Sequence, residues 1–156
     1  MARLTLHLHR SMEGPMITIR TDPNDEVPRD VARLEPVCLR DQYYMDVIVQ
    51  HADDCNRPHQ YDLGDMVPGV NDRYNFVYYG FVTDDYLETP AERHVESVLI
   101  KILEHVTRYQ VEHLVFTPIP KYSTLLLTRQ VLRIFEQADN CHIELYTAAV
   151  RDESYA

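Results

Sequence analysis

The chain has 156 residues, 45% hydrophobic and 26% charged, which fits one globular domain with an ordinary buried core. A formal net charge of −10 and a pI near 5.1 argue against a broad electropositive face for duplex nucleic acid. No apolar run approaches the roughly 20 residues that span a membrane, and an odd set of widely spaced cysteines (Cys38, Cys55, Cys141) fits reduced thiols in the cytoplasm.

Residues 3–9 alternate Leu4, Leu6 and Leu8 with polar neighbours, the period of a half-buried strand and not of a signal peptide. Glu13-Gly14-Pro15 marks a turn, and Met16 to Ile19 reads as a second strand. After a polar loop, Pro28 through Leu34 reads as a short helix with proline at its first position. Leu39 to Cys55 has helical spacing at Tyr43, Tyr44, Val47, Ile48 and Ala52, ended by Pro58, and His59 to Asn71 is rich in turn residues. Tyr74 to Val82 is β-branched and aromatic, the clearest strand signal in the chain. Thr89-Pro90-Ala91-Glu92 has the form of a capping box opening a helix that buries Val95, Val98, Leu99, Ile102, Leu103 and Val106. Glu112 to Thr117 is a strand, and Ser123 or Thr124 caps a helix running through Gln137 that buries Val131, Leu132, Ile134 and Phe135. Cys141 to Ala148 alternates as a last strand, and 149–156 reads as a flexible tail. Strand–helix–strand–helix–strand with short connections is the arrangement that builds a parallel, helix-covered sheet.

The loop Phe116 to Thr124 sits where such proteins place phosphates, between a strand and a helix N-terminus. It contains no glycine. Pro118 and Pro120 each remove a backbone donor, so the usual close approach of N–H groups to an anion is not available in that form.

The succession Leu63-Gly64-Asp65, Asp72-Arg73-Tyr74, Phe81-Val82-Thr83, Thr89-Pro90, Ile100-Lys101, Val111-Glu112-His113-Leu114, Pro118-Ile119, Phe135 and Ile143 to Thr147 resembles macro domains. Within them it resembles the glycohydrolase subgroup that removes ADP-ribose from acidic side chains. The resemblance implies an α/β three-layer sandwich, with a mixed, mostly parallel sheet of five or six strands and helices on both faces. It implies a single domain over 1–148. It also places Asn24 and Val27 to Ala32 where that family has an asparagine-containing, glycine-rich loop.

The departures from the family are systematic. Asp25, Glu26, Pro28 and Arg29 stand in place of the first loop's glycines, and like charges a few ångströms apart cost about 1–4 kcal/mol near a surface. Thr83-Asp84-Asp85 stands where the subgroup has its catalytic lysine, and no aspartate lies between Pro118 and Gln137. The expectation is therefore a degenerate macro-like module with no catalytic residue and no cofactor. It would act through a protein partner or through an altered pocket for an ADP-ribose-like nucleotide. The candidate ligand-binding residues are Asp22, Asn24, Val27, Arg29, Asp84, Asp85, Pro118, Ile119, Lys121, Tyr122, Ser123 and Thr124. The alternatives are a competent macro domain that binds ADP-ribose or hydrolyses an ADP-ribosyl linkage, and an acidic inhibitor or nucleic-acid mimic such as a virus encodes.

Other groupings have plain structural explanations. His51, Cys55 and His59 have one-face spacing suited to Zn²⁺, but Pro58 interrupts it; His7 and His9 share a strand face. No metal site is expected from either. Asp84 and Asp85 also fit the start of an ordinary loop. The eleven tyrosines suit core packing, with Tyr86 and Tyr122 offering an interface beside the pocket.

Overall fold

The computed structural model describes residues 5–9, 16–41 and 61–147. The helix expected over 39–55, the His51–Cys55–His59 grouping and the tail at 149–156 lie wholly or mostly outside those residues. The strands are β1 (Thr5–His9), β2 (Met16–Arg20), β3 (Ala32–Cys38), β4 (Met66–Val70), β5 (Phe76–Thr83), β6 (His113–Phe116) and β7 (His142–Tyr146). Two helices, α1 (Glu92–Tyr109) and α2 (Thr124–Ile134), follow β5 and β6, and a 3₁₀ turn at Phe135–Gln137 extends α2.

All seven strands form one sheet in the order β1-β2-β7-β6-β3-β5-β4. The five central strands run parallel, and β1 and β4 pair antiparallel at the two edges. This is an α/β fold around a mixed, mostly parallel sheet, larger than the five or six strands expected. Two strands were not expected: β3, from the stretch read as a short helix, and β4, from the segment 59–71, whose turn residues mask it. Pro68 and Gly69 are tolerated there because an edge strand needs donors on one side only.

Residues 28–34 are not a helix. Val31 and Ala32 are buried and lead directly into β3, the strand between β6 and β5. Proline at position 28 and an apolar residue every few positions fit a short helix equally well locally. Burial on both faces of a parallel sheet decides otherwise.

One face of the sheet carries the larger core, in which Leu34, Tyr78, Val82, Leu114, Phe116, Ile143 and Leu145 meet Val95, Val98, Leu99, Ile102 and Val106 of α1 and Leu127 and Val131 of α2. The expected helix stripes are thus the buried ones, with Leu103 and Leu132 at their partly buried margins. Gly80 lies in the middle of β5, where an added Cβ would stand 2.6 Å from Val98 Cγ1. The glycine is what lets α1 approach the sheet. The opposite face buries Val37, Val67, Val77, Tyr79 and Phe81 against Leu39 and Tyr61.

The helix caps differ in part from expectation. Ser123 caps α2, its hydroxyl accepting from the Leu126 N–H at 3.2 Å. Thr89 does not cap α1: Ala91 holds the N-cap position, and alanine has no side-chain acceptor to offer the first turn. The Leu63-Gly64-Asp65 motif is a fastener between β4 and α1. The Gly64 carbonyl accepts from Ser97 Oγ at 3.0 Å and Lys101 Nζ at 2.9 Å, and Lys101 also pairs with Asp65 at 3.1 Å.

Candidate functional site: a crevice at the carboxyl ends of the strands

β3 and β6 pair at only two positions, Ala32 with Leu114 and Arg33 with Val115. Pro36, three residues on, has no N–H to extend that ladder. Beyond Arg33 the ladder with β6 stops while that with β5 continues to Cys38. A crevice opens at the carboxyl ends of these strands, the place where α/β sheets bind ligands. Its walls include Val37, Cys38, Thr83, Tyr86, Ile119 and Pro120.

The crevice is small, about 70 Å³. Pockets that hold drug-sized molecules run from roughly 300 to 1,000 Å³. Two loops wall it, residues 84–91 after β5 and residues 117–123 after β6.

In the first loop the carboxylate of Glu88 accepts the backbone N–H groups of Asp84 and Asp85 at 3.2 and 3.1 Å. Two successive N–H groups aimed at one oxygen form a small anion nest, and here a side chain of the same loop occupies it. Asp85 Oδ1 accepts the Leu87 N–H at 2.8 Å, and Asp84 pairs with Arg40 at 3.1 Å. The two aspartates therefore order the loop.

In the second loop Ile119 is buried in the main core, and Pro118 is partly buried beside it. Lys121 has φ +62°, the left-handed region that glycine usually occupies, and its ammonium donates to the Leu87 carbonyl at 3.2 Å. That bond ties the two loops together. Tyr122 turns inward: its hydroxyl donates to Gln130 Oε1 at 2.6 Å, and Gln130 Nε2 donates to the Glu92 carbonyl at 3.2 Å. Burial, with the Glu92 carboxylate nearby, pushes the Tyr122 hydroxyl up to about 12, so it remains a donor at neutral pH. Ser123 is spent as the cap of α2, and the Thr124 hydroxyl oxygen is buried without a hydrogen-bond partner.

The remaining candidates lie in the loop after β2, which β7, β6 and β3 separate from β5. Asp22 Oδ1 accepts the Asn24 N–H at 2.9 Å, a self-contained turn. Val27 packs against Val31, Val115 and Tyr146, and Arg29 is exposed. The candidates thus fall into two groups. Ile119 lines the crevice, with Asp84, Asp85 and Lys121 on the loops that wall it, and Asp22 to Arg29 lie in the loop between β2 and β3.

Sequence reasoning missed Glu88, Cys38 and Thr83. Glu88 is one acid among twenty-five and only its loop geometry distinguishes it. Cys38 Sγ and Thr83 Oγ1 are hydrogen-bonded at 3.1 Å, and burial raises the Cys38 thiol above its ordinary value. A protonated, hydrogen-bonded thiol is not poised as a nucleophile.

No protein-family model and no curated protein sequence matches the chain. Solved structures do. The macrodomain of Thermus aquaticus DarG is similar at TM-score 0.63 and 13% identity, covering 86% of this chain and 99% of that one. A mutant Oceanobacillus iheyensis macrodomain, solved with ADPR, is similar at TM-score 0.62 and 12% identity, over 98% of this chain and 94% of that one. Thermosipho africanus DarTG in complex with ADP-ribose is similar at TM-score 0.58 and 8% identity, over 90% of this chain and 43% of that one. The chain has the macrodomain fold.

Proposed function

From the macrodomain fold and its self-filled crevice, we propose that this protein is a non-catalytic macrodomain-like module acting by protein interaction. The observation that carries the reading is the loop pair 84–91 and 117–123. The Glu88 carboxylate occupies the backbone N–H groups of Asp84 and Asp85, and Lys121 is engaged by Leu87. A phosphate entering here would have to displace a carboxylate already held by the chain. The crevice of about 70 Å³ is also far below what a dinucleotide-sized ligand needs.

The same region offers an interaction surface. Tyr86 and Leu87 are 63% and 81% exposed on the loop after β5, and Leu125 is 61% exposed on the first turn of α2. Exposed large apolar groups beside an ordered loop favour a protein partner.

One observation favours a competent ADP-ribose site instead: two structures of similar fold were solved with ADP-ribose. Calorimetric titration with ADP-ribose, together with release of ADP-ribose from a peptide modified on an acidic side chain, separates the two. The module proposed here gives neither heat of specific binding nor release. Saturable micromolar binding would contradict it.

A further inference from the structure

The sheet face opposite α1 and α2 changes character along its width. Under β3, β4 and β5 it is apolar. At β2, β7 and β6 it carries Thr18, Arg20, His113, His142, Glu144 and Tyr146, and among these Thr18, Glu144 and Tyr146 are buried.

The ladder brings two histidines and one carboxylate together. His113 and His142 open β6 and β7 and are direct register partners, with rings stacked at 4.8 Å between centroids. Glu144, two residues beyond His142, projects from the same face. Its Oε1 lies 3.3 Å from His113 Nε2 and 3.9 Å from His142 Nε2. One ligand atom from each residue lies within 4.8 Å of the other two.

The other carboxylate oxygen is already engaged. Glu144 Oε2 accepts the Tyr146 hydroxyl at 2.5 Å and lies 3.5 Å from Arg20 Nε. Partners of this kind on the far oxygen fix a ligating carboxylate in orientation. His113 Nε2 is buried and forms no hydrogen bond, although it faces Oε1.

We propose that His113, His142 and Glu144 form a binding site for a late first-row divalent cation such as Zn²⁺. Zn–N and Zn–O bonds of about 2.0–2.2 Å at a tetrahedral angle set ligand atoms roughly 3.4 Å apart. The His113–Glu144 separation of 3.3 Å already has this value, whereas His142 must turn out of its stack on His113 and release its 3.3 Å contact with Thr18 Oγ1 to bring Nε2 to the ion. Two imidazoles and one carboxylate select such a cation over Mg²⁺ or Ca²⁺, which prefer all-oxygen sites. Three protein ligands leave a fourth position for water.

Charge also favours a cation. Glu144 and Asp25 flank Arg20, so with neutral imidazoles these described groups carry one net negative charge. The two histidine side chains are 31% and 36% exposed, which gives the ion a route in. The site lies at the amino ends of β6 and β7, the opposite end of the sheet from the crevice, and does not depend on the reading of that crevice.

The test is calorimetric titration of the metal-stripped full chain with Zn²⁺, paired with Co²⁺ absorption to report ligand geometry. Wild type is expected to bind one equivalent and to show the intense visible bands of a low-coordinate Co²⁺ site. His113→Asn and His142→Asn, each checked for folding by circular dichroism, are expected to weaken this binding by more than about 100-fold, since loss of an outer-shell partner alone costs 10- to 100-fold. A variant carrying His51→Asn, Cys55→Ser and His59→Asn is expected to bind as wild type does. Absence of Zn²⁺ binding by wild type, or undiminished binding by both folded single variants, would overturn the proposal.

Discussion

The ammonium of Lys121 donates to the carbonyl of Leu87 at 3.2 Å, joining the two loops that wall the crevice. The lysine achieves this from a left-handed backbone at φ +62°. A non-glycine residue there carries about 1–2 kcal/mol of strain. The comparison of two variants separates strain from bonding. Lys121→Ala loses the bond and keeps the strain, whereas Lys121→Gly loses both. Chemical denaturation should find the glycine variant more stable than the alanine variant by about 1 kcal/mol. Equal stability would show that the backbone strain is negligible.

Glu88 holds two backbone donors, much as a capping side chain does at a helix start. Glu88→Ala should cost on the order of 1 kcal/mol, by analogy with N-cap replacements, and should speed hydrogen exchange of the Asp84 and Asp85 amides. Amide exchange unchanged by the substitution would count against the nest.

The Tyr122–Gln130 pair is buried, with Gln130 only 2% exposed. Tyr122→Phe leaves the Gln130 carbonyl oxygen without its donor in a site closed to water. The expected loss is about 1–3 kcal/mol in denaturant unfolding. A loss under 0.5 kcal/mol would mean that water reaches Gln130.

Gly80 admits no side chain without movement. In Gly80→Ala the new methyl would meet Val98 Cγ1 at 2.6 Å and Leu34 Cδ1 at 3.1 Å. Overpacking of this kind costs about 1–3 kcal/mol. Adding Val98→Ala should recover part of the loss, and strict additivity of the two changes would contradict the stated contact.

His105 gives the fold a pH dependence. It packs against Phe76, Tyr78 and Tyr109, and its Nδ1 lies 2.9 Å from the Tyr78 hydroxyl. Burial first, and Arg108 second, lower its pKa from the ordinary 6.5. The unfolded chain therefore takes up the proton at a higher pH than the folded one. The His105 contribution is full above about pH 6.5 and is lost as pH falls through the folded value. His105→Phe should flatten the stability profile below pH 6.5 relative to wild type. A parallel profile would place the titration elsewhere.

Much of the fold was legible in the sequence because its signals were local and strong. The stripe Val95, Val98, Leu99, Ile102, Val106 and, within the expected strand Tyr74 to Val82, the residues from Val77 onward are the buried core that they implied. The misreadings share a cause. Pro28 to Leu34 and the stretch holding Pro68 and Gly69 are short, proline-containing segments whose state is decided by the neighbouring strands and not by propensity. The site was legible as a place. The glycine-free loop Phe116 to Thr124 does lie at the strand ends beside the crevice. What fills it was not legible, because Glu88 reaches the Asp84 and Asp85 amides only through the turn that Asp85 and Leu87 make. Nor does spacing in sequence bring His113 to His142; the parallel register of β6 and β7 does.

Thermal unfolding with ADP-ribose at about 1 mM tests most directly whether the chain's own side chains have taken over the crevice. A site with a dissociation constant near 10 μM would add about 2.7 kcal/mol under those conditions. For a domain of this size that raises Tm by on the order of 5–10 °C. No rise is expected for the wild-type protein. A rise of that size, abolished by excess competing ligand, would contradict the takeover of the crevice.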